Sequence, residues 1–257
     1  MNNILLKAAR SVYYWGLSLA SIRYREEPAT VRINGLDIYY VTRGPRNGKP
    51  VLLLHGNGGS HKSLRTQAMQ LARAGYRVYS PDSRGQGANT PLNEYHYSDM
   101  MEDTCQFIMA LSLDKPAVFG WSDGGIIALM LEVAYPGICG PMAVAGANLK
   151  PDCGPGFEEF KTWILEQGTP LALMMLSEPD IEPESLSVIK CPTLVCCGSE
   201  DLISVEHTRL ISDSIPGSEL VVVEGRNHGN YIKRSPLMGR MLLDFLKRNN
   251  YDTVTGR

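Results

Sequence analysis

The chain has 257 residues, is 44% hydrophobic and 20% charged, and carries 25 glycines and 16 prolines. Those values are ordinary for a globular protein and exclude intrinsic disorder, a collagen-like repeat and a coiled coil. Lys+Arg 25 against Asp+Glu 27 leaves a formal net charge of −2, and no basic run is interleaved with aromatics, so nucleic-acid binding is not expected.

Lys7 and Arg10 precede an apolar stretch, residues 11–20, that is too short to span a bilayer. Residues 1–27 are expected to form an N-terminal helical segment, lying on the domain or making a peripheral membrane or partner contact, rather than a cleaved signal peptide. Residues 28–257 are expected to be one α/β domain. Segments 30–33 and 36–41 flank Asn34-Gly35, a hairpin signal. Segment 51–54 is continuously apolar, as a strand buried on both faces should be. A helix to about residue 74, a strand at 77–80, a helix at 98–113 and a short strand at 117–120 follow. The next helix, 124–135, is apolar on nearly every side and must be buried. Strands are expected at 141–147, 193–197 and 219–223, with a terminal helix at 236–249. Strands alternating with helices imply a mostly parallel sheet, here of about eight strands, covered on both faces. The alternation breaks between 149 and 185. A short helical cap insertion is expected at about 150–186, with helices near 157–167 and 170–176.

In such a sheet the loops after the strands carry the chemistry. Gly120-Trp121-Ser122-Asp123-Gly124 is a GxSxG sequence between a strand and the buried helix, where a tight turn exposes the serine hydroxyl. A serine needs a base and an orienting acid to act as a nucleophile. Of the histidines, only His228 lies just beyond a late strand. Asp201, with Glu200 as the alternative, follows the strand at 193–197. The order Ser122, Asp201, His228 is nucleophile, acid, base.

Together these loops resemble those of the α/β-hydrolase superfamily over about residues 31–246. His55-Gly56-Asn57-Gly58-Gly59 is similar to its oxyanion loop, and Asp82-Ser83-Arg84-Gly85-Gln86-Gly87 to its D-x-R-G-x-G turn. The run 120–125, with Gly146-Ala147-Asn148, is most similar to the biphenyl-hydrolase-like, valacyclovir-hydrolase-type esterases that cleave amino-acid esters. The insertion is shorter than the helical cap usual there, which leaves the substrate open.

The resemblance implies a serine hydrolase of small carboxylic esters or related acyl compounds, working through an acyl-enzyme with no cofactor and no metal. C–C bond hydrolysis, perhydrolysis and a non-catalytic binding protein are the alternatives. A dehalogenase would have Asp where Ser122 stands. Backbone N–H groups of Asp123 and of Asn57, or Gly58 in place of Asn57, would form the oxyanion hole. The Asp123 carboxylate either binds a substrate ammonium or satisfies free N–H groups at the helix start. Gly58, Met174 and Met175, with Leu171 and Trp163, are candidates for the substrate pocket. His55 is expected to be structural, and Asp82 and Arg84 to pin their turn to each other. The six cysteines show neither CxxC pairs nor zinc spacing, so free thiols in a reducing, cytoplasmic compartment are expected.

Overall fold

A computed structural model describes residues 25–154 and 156–252. It contains one eight-stranded sheet, in spatial order β1-β2-β4-β3-β5-β6-β7-β8. The hairpin is β1 (Glu27–Ile33) and β2 (Leu36–Arg43), closed where Ile33 pairs with Leu36. Its two turn residues, Asn34 and Gly35, have φ 47° and 77°. Both values lie in the left-handed region that the twist-matched two-residue turn requires. The helical segment expected at 1–27 lies outside the described residues except for its last three, where Glu27 already begins a strand.

Strands β3 (Pro50–Leu54), β4 (Arg77–Pro81), β5 (Ala117–Trp121), β6 (Met142–Ala145), β7 (Thr193–Gly198) and β8 (Glu219–Val223) run parallel. Only β2 runs against them, pairing antiparallel with both β1 and β4. The central strands are apolar on both faces because both faces are covered. Leu52 and Leu54 pack into the core formed with α2 (Tyr97–Ala110), α3 (Asp123–Ala134) and α6 (Val205–Ser214). Val51 and Leu53 point the other way, against α1 (Arg65–Arg73) and α7 (Leu237–Arg248).

The insertion holds α4 (Phe157–Gln167), α5 (Pro170–Met174) and a 3₁₀ turn over Pro183–Val188. Helix α6 is not expected from the sequence. Its residues are largely β-branched or short and polar, poor helix formers, and the Ser204 hydroxyl accepting from the His207 N–H starts it. At the end of the sheet opposite the strand C-termini, Tyr251 ties the chain down. Its hydroxyl donates to the Pro50 carbonyl at 2.8 Å and accepts from the Ala117 N–H at 3.1 Å, while its ring stacks on Tyr76. Among the described residues, no helix is long and apolar enough to cross a membrane.

Candidate active site

Ser122 stands between β5 and α3 with φ 56° and ψ −122°, a conformation rarely adopted by a residue with a side chain. The surrounding glycines permit that turn. A Cβ on Gly120 would lie 2.0 Å from the Gly124 carbonyl oxygen, and one on Gly124 would lie 2.1 Å from that of Leu54. The Ser122 N–H donates to the Ala145 carbonyl at 2.8 Å, and its own carbonyl accepts from Gly125 and Ile126. The residue is therefore held by neighbouring strands and by the helix it opens. The hydroxyl faces a cavity of about 270 Å³ and has no hydrogen-bond partner among the described residues.

His228 lines the same cavity. Its Nδ1 is 2.7 Å from Oδ1 of Asp201, whose side chain is fully buried. The Asp201 carboxylate also accepts from the N–H groups of Gly198 and Ile203 at 3.3 and 3.2 Å. These bonds fix it against β7, while neighbouring Glu200 is exposed. The His228 carbonyl accepts from the Trp121 indole at 2.9 Å. Beneath the ring lies Gly146 (φ 59°), where a Cβ would come within 2.8 Å of His228 Cε1. A histidine placed this way, oriented by a buried carboxylate and sharing a cavity with a serine hydroxyl, can relay a proton to and from that hydroxyl.

Asp123, next to the serine, is buried, and its carboxylate accepts from Asn57 Nδ2 at 2.9 Å and from the Tyr97 hydroxyl. Burial outweighs those bonds and pushes its carboxyl up to about 6. Asn57 Nδ2 also approaches the Leu171 carbonyl at 3.3 Å, so one amide joins the His-Gly loop, the Asp123 carboxylate and the insertion. The backbone N–H groups of Asn57 and Asp123 meet no backbone carbonyl, and that of Asp123 lies within hydrogen-bond reach of its own carboxylate.

Three pocket expectations fail. Met175 lines the cavity, but Met174 turns into the main core. Adjacent residues on a helix point about 100° apart, so only one of the pair can face the site. Gly58 is exposed and Leu171 meets the site only through its carbonyl; neither lines the cavity. Trp163 does line it, stacked on Phe160. Asp82 and Arg84 pin the turn, but not to each other. Asp82 accepts from the N–H groups of His61 and Ala88, and Arg84 pairs with Asp99 and Asp103. His55 is a buried link in the loop, its Nδ1–H donating to the Gly56 carbonyl while Nε2 accepts from the Ser83 N–H. Burial lowers its pKa and keeps the ring neutral.

Tyr97, Cys153, Glu178 and Lys233 also line the cavity, and the sequence reading missed them. Glu178 is held by the Tyr97 N–H at 2.8 Å and by His96 Nδ1 at 2.5 Å, from a helix start 81 residues away. No local sequence pattern signals that contact. Among the described residues no three His, Cys, Asp or Glu side chains converge as a metal site.

A family model described as the α/β hydrolase fold matches residues 49–174, from the start of β3 through the serine turn to α5. The chain has the α/β-hydrolase fold. Among curated relatives of this α/β hydrolase, the serine hydrolase BPHL of Mus musculus is 26% identical over 85% of this chain and 86% of its own. The putative carbamate hydrolase RutD of Variovorax paradoxus is 25% identical over 83% of this chain and 97% of its own. A solved bromoperoxidase from Bacillus anthracis superposes with a TM-score of 0.75 at 25% identity, over 86% of this chain and 100% of that one.

Proposed function

We propose that this α/β hydrolase is a serine hydrolase of small carboxylic esters, acting through an acyl-enzyme on Ser122. The observation that carries the proposal is the shared cavity. A strained, hydrogen-bond-free serine hydroxyl opens onto the same space as a histidine whose other ring nitrogen is 2.7 Å from a buried carboxylate. In the first step His228 Nε2 takes the Ser122 proton as the oxygen bonds to the ester carbon. The carbonyl oxygen gains negative charge and is held by the N–H groups of Asp123 and Asn57. His228 then returns the proton to the departing alcohol. Water, giving its proton to His228, releases the acid and restores the serine. Each oxyanion donor contributes roughly 3 kcal/mol. The similarity to the serine hydrolase BPHL, which extends along most of both chains, supports the reading.

The Asp123 carboxylate is the group that would recognise a substrate ammonium. It lines the cavity beside the nucleophile, where Asn57 and Tyr97 hold it together with its own backbone N–H. Trp163 and Met175 line the cavity beside it and would contact the acyl chain.

A fluorophosphonate probe should label the wild-type chain and leave Ser122→Ala unmodified. On a panel of esters of varied acyl chain, with and without α-amino groups, Ser122→Ala should lower kcat by about four to six orders of magnitude with folding unchanged. Retention of more than a tenth of the activity would overturn the assignment.

A further inference from the structure

Beside the cavity lies a second depression of about 500 Å³, lined by Lys62, Ser63, Arg65, Thr66, Lys233 and Arg234. Four of those six side chains are cations, in a chain whose formal net charge is −2. None is an acid. Arg65 approaches Glu26 at 3.6 Å, but among the described residues the ammonium groups of Lys62 and Lys233 and the guanidinium of Arg234 have no carboxylate partner. Arg234 stands in the left-handed region (φ 55°), a backbone conformation uncommon for a long side chain. Like charges gathered without counter-charges repel one another, and they focus a positive potential on the space between them.

The position of this groove gives it meaning. Lys62 and Ser63 continue the loop that carries Asn57, and Arg65 and Thr66 open α1 just after it. Lys233 and Arg234 continue the loop that carries His228. Lys233 belongs to both depressions, with its ammonium 4.6 Å from the centre of the Trp121 ring at the edge of the cavity. A ligand whose ester carbonyl reaches Ser122 can therefore extend past Lys233 into a basic groove that also offers two hydroxyls. Four cations and two hydroxyl donors match a phosphate, which presents several acceptor oxygens and more than one charge.

We propose that Lys62, Arg65, Lys233 and Arg234 form an anion subsite that takes a phosphate group carried on the alcohol portion of the substrate. This proposal rests on the esterase reading for its reaction, but the groove can be tested without turnover. Inorganic pyrophosphate should bind the full chain in titration calorimetry at low ionic strength. The double variant Lys62→Gln/Arg234→Gln should weaken that binding by about tenfold or more, and added salt should weaken it in the wild type.

For turnover, two esters of one short acid are compared, one of an uncharged glycol and one of the same glycol bearing a phosphate. The wild type should favour the phosphorylated ester by about tenfold in kcat/KM, and the double variant should lose that preference. Hydrolysis of neither ester would count against the esterase reading and leave the calorimetry to judge the groove. No pyrophosphate binding, or an unchanged preference in the double variant, would overturn the subsite. So would a double variant that merely loses sedimentation with phosphatidylglycerol vesicles, since the groove would then contact a membrane rather than the substrate.

Discussion

The turn around Ser122 and the insertion over it are built in opposite ways. At the turn, glycines let backbone approach backbone within distances no Cβ could tolerate, and α3 behind it is apolar all round and buried. In the insertion, α4 buries one residue, Ile164, while Trp163, Leu165 and Leu173 are 46%, 55% and 39% exposed. The Ser122 turn is thus fixed by the core of the sheet, and the wall that the insertion gives the cavity is held by few contacts. Precision and selectivity reside in different parts of the molecule. Substitutions should therefore separate them.

The largest effect is expected at the rigid end. In Gly124→Ala the new methyl would meet the Leu54 carbonyl at 2.1 Å, and backbone cannot yield as a side chain can. A stability loss of about 3 kcal/mol is expected, with a fall in Tm on the order of 10 °C. Unchanged melting would mean that the turn is softer than its packing implies.

Asp123 sharpens the contrast because the rigid site carries a cost. Its carboxyl rises from 3.8 to about 6 on folding, so between those values the folded chain holds the proton more tightly than the unfolded chain. Stability from this group is present at low pH and is lost as pH rises through about 6. The full cost above that window is on the order of 3 kcal/mol. Asp123→Asn should raise Tm at pH 8 and change it little at pH 4. Equal shifts at both pH values would remove ionisation as the cause. The variant should also lose any preference for amino esters, a factor of roughly 10 to 150 for a desolvated charged hydrogen bond.

The smallest change in stability belongs to the insertion. Trp163→Ala removes a half-exposed ring and should cost no more than about 1 kcal/mol. Its effect should appear in substrate choice instead, with kcat/KM for long-chain esters falling about tenfold while acetyl esters stay within about threefold. A uniform loss across chain lengths would mean that Trp163 supports the reacting groups and not the acyl pocket.

This division also governs what could be read from the sequence. Strands β3 and β5, the buried helix α3 and the Asn34-Gly35 turn are legible because local pattern and tertiary environment agree. Ser122, Asp201 and His228 are legible because parallel strands deliver their C-terminal loops to one end. The insertion offers no such periodicity. Helix α5 has five residues, too few to tell Met174 from Met175. Arg84 pairs with Asp99 and Asp103 on α2 rather than with Asp82, a choice made by packing distant segments. Tyr97 and Glu178 meet across 81 residues, and sequence spacing holds no trace of that contact.

The Tyr251 clamp has a practical consequence. Its hydroxyl reaches Pro50 and Ala117, the first residues of two parallel strands, whereas Ser122, Asp201 and His228 follow strand ends. An anchor or fusion partner joined beyond Asp252 would be tethered behind the clamp, a sheet's length from the mouth of the cavity. Immobilised on a support through that side, the enzyme would present its opening to the bulk solution, and the strain of the tether would fall on the Tyr251 contacts before it reached the serine.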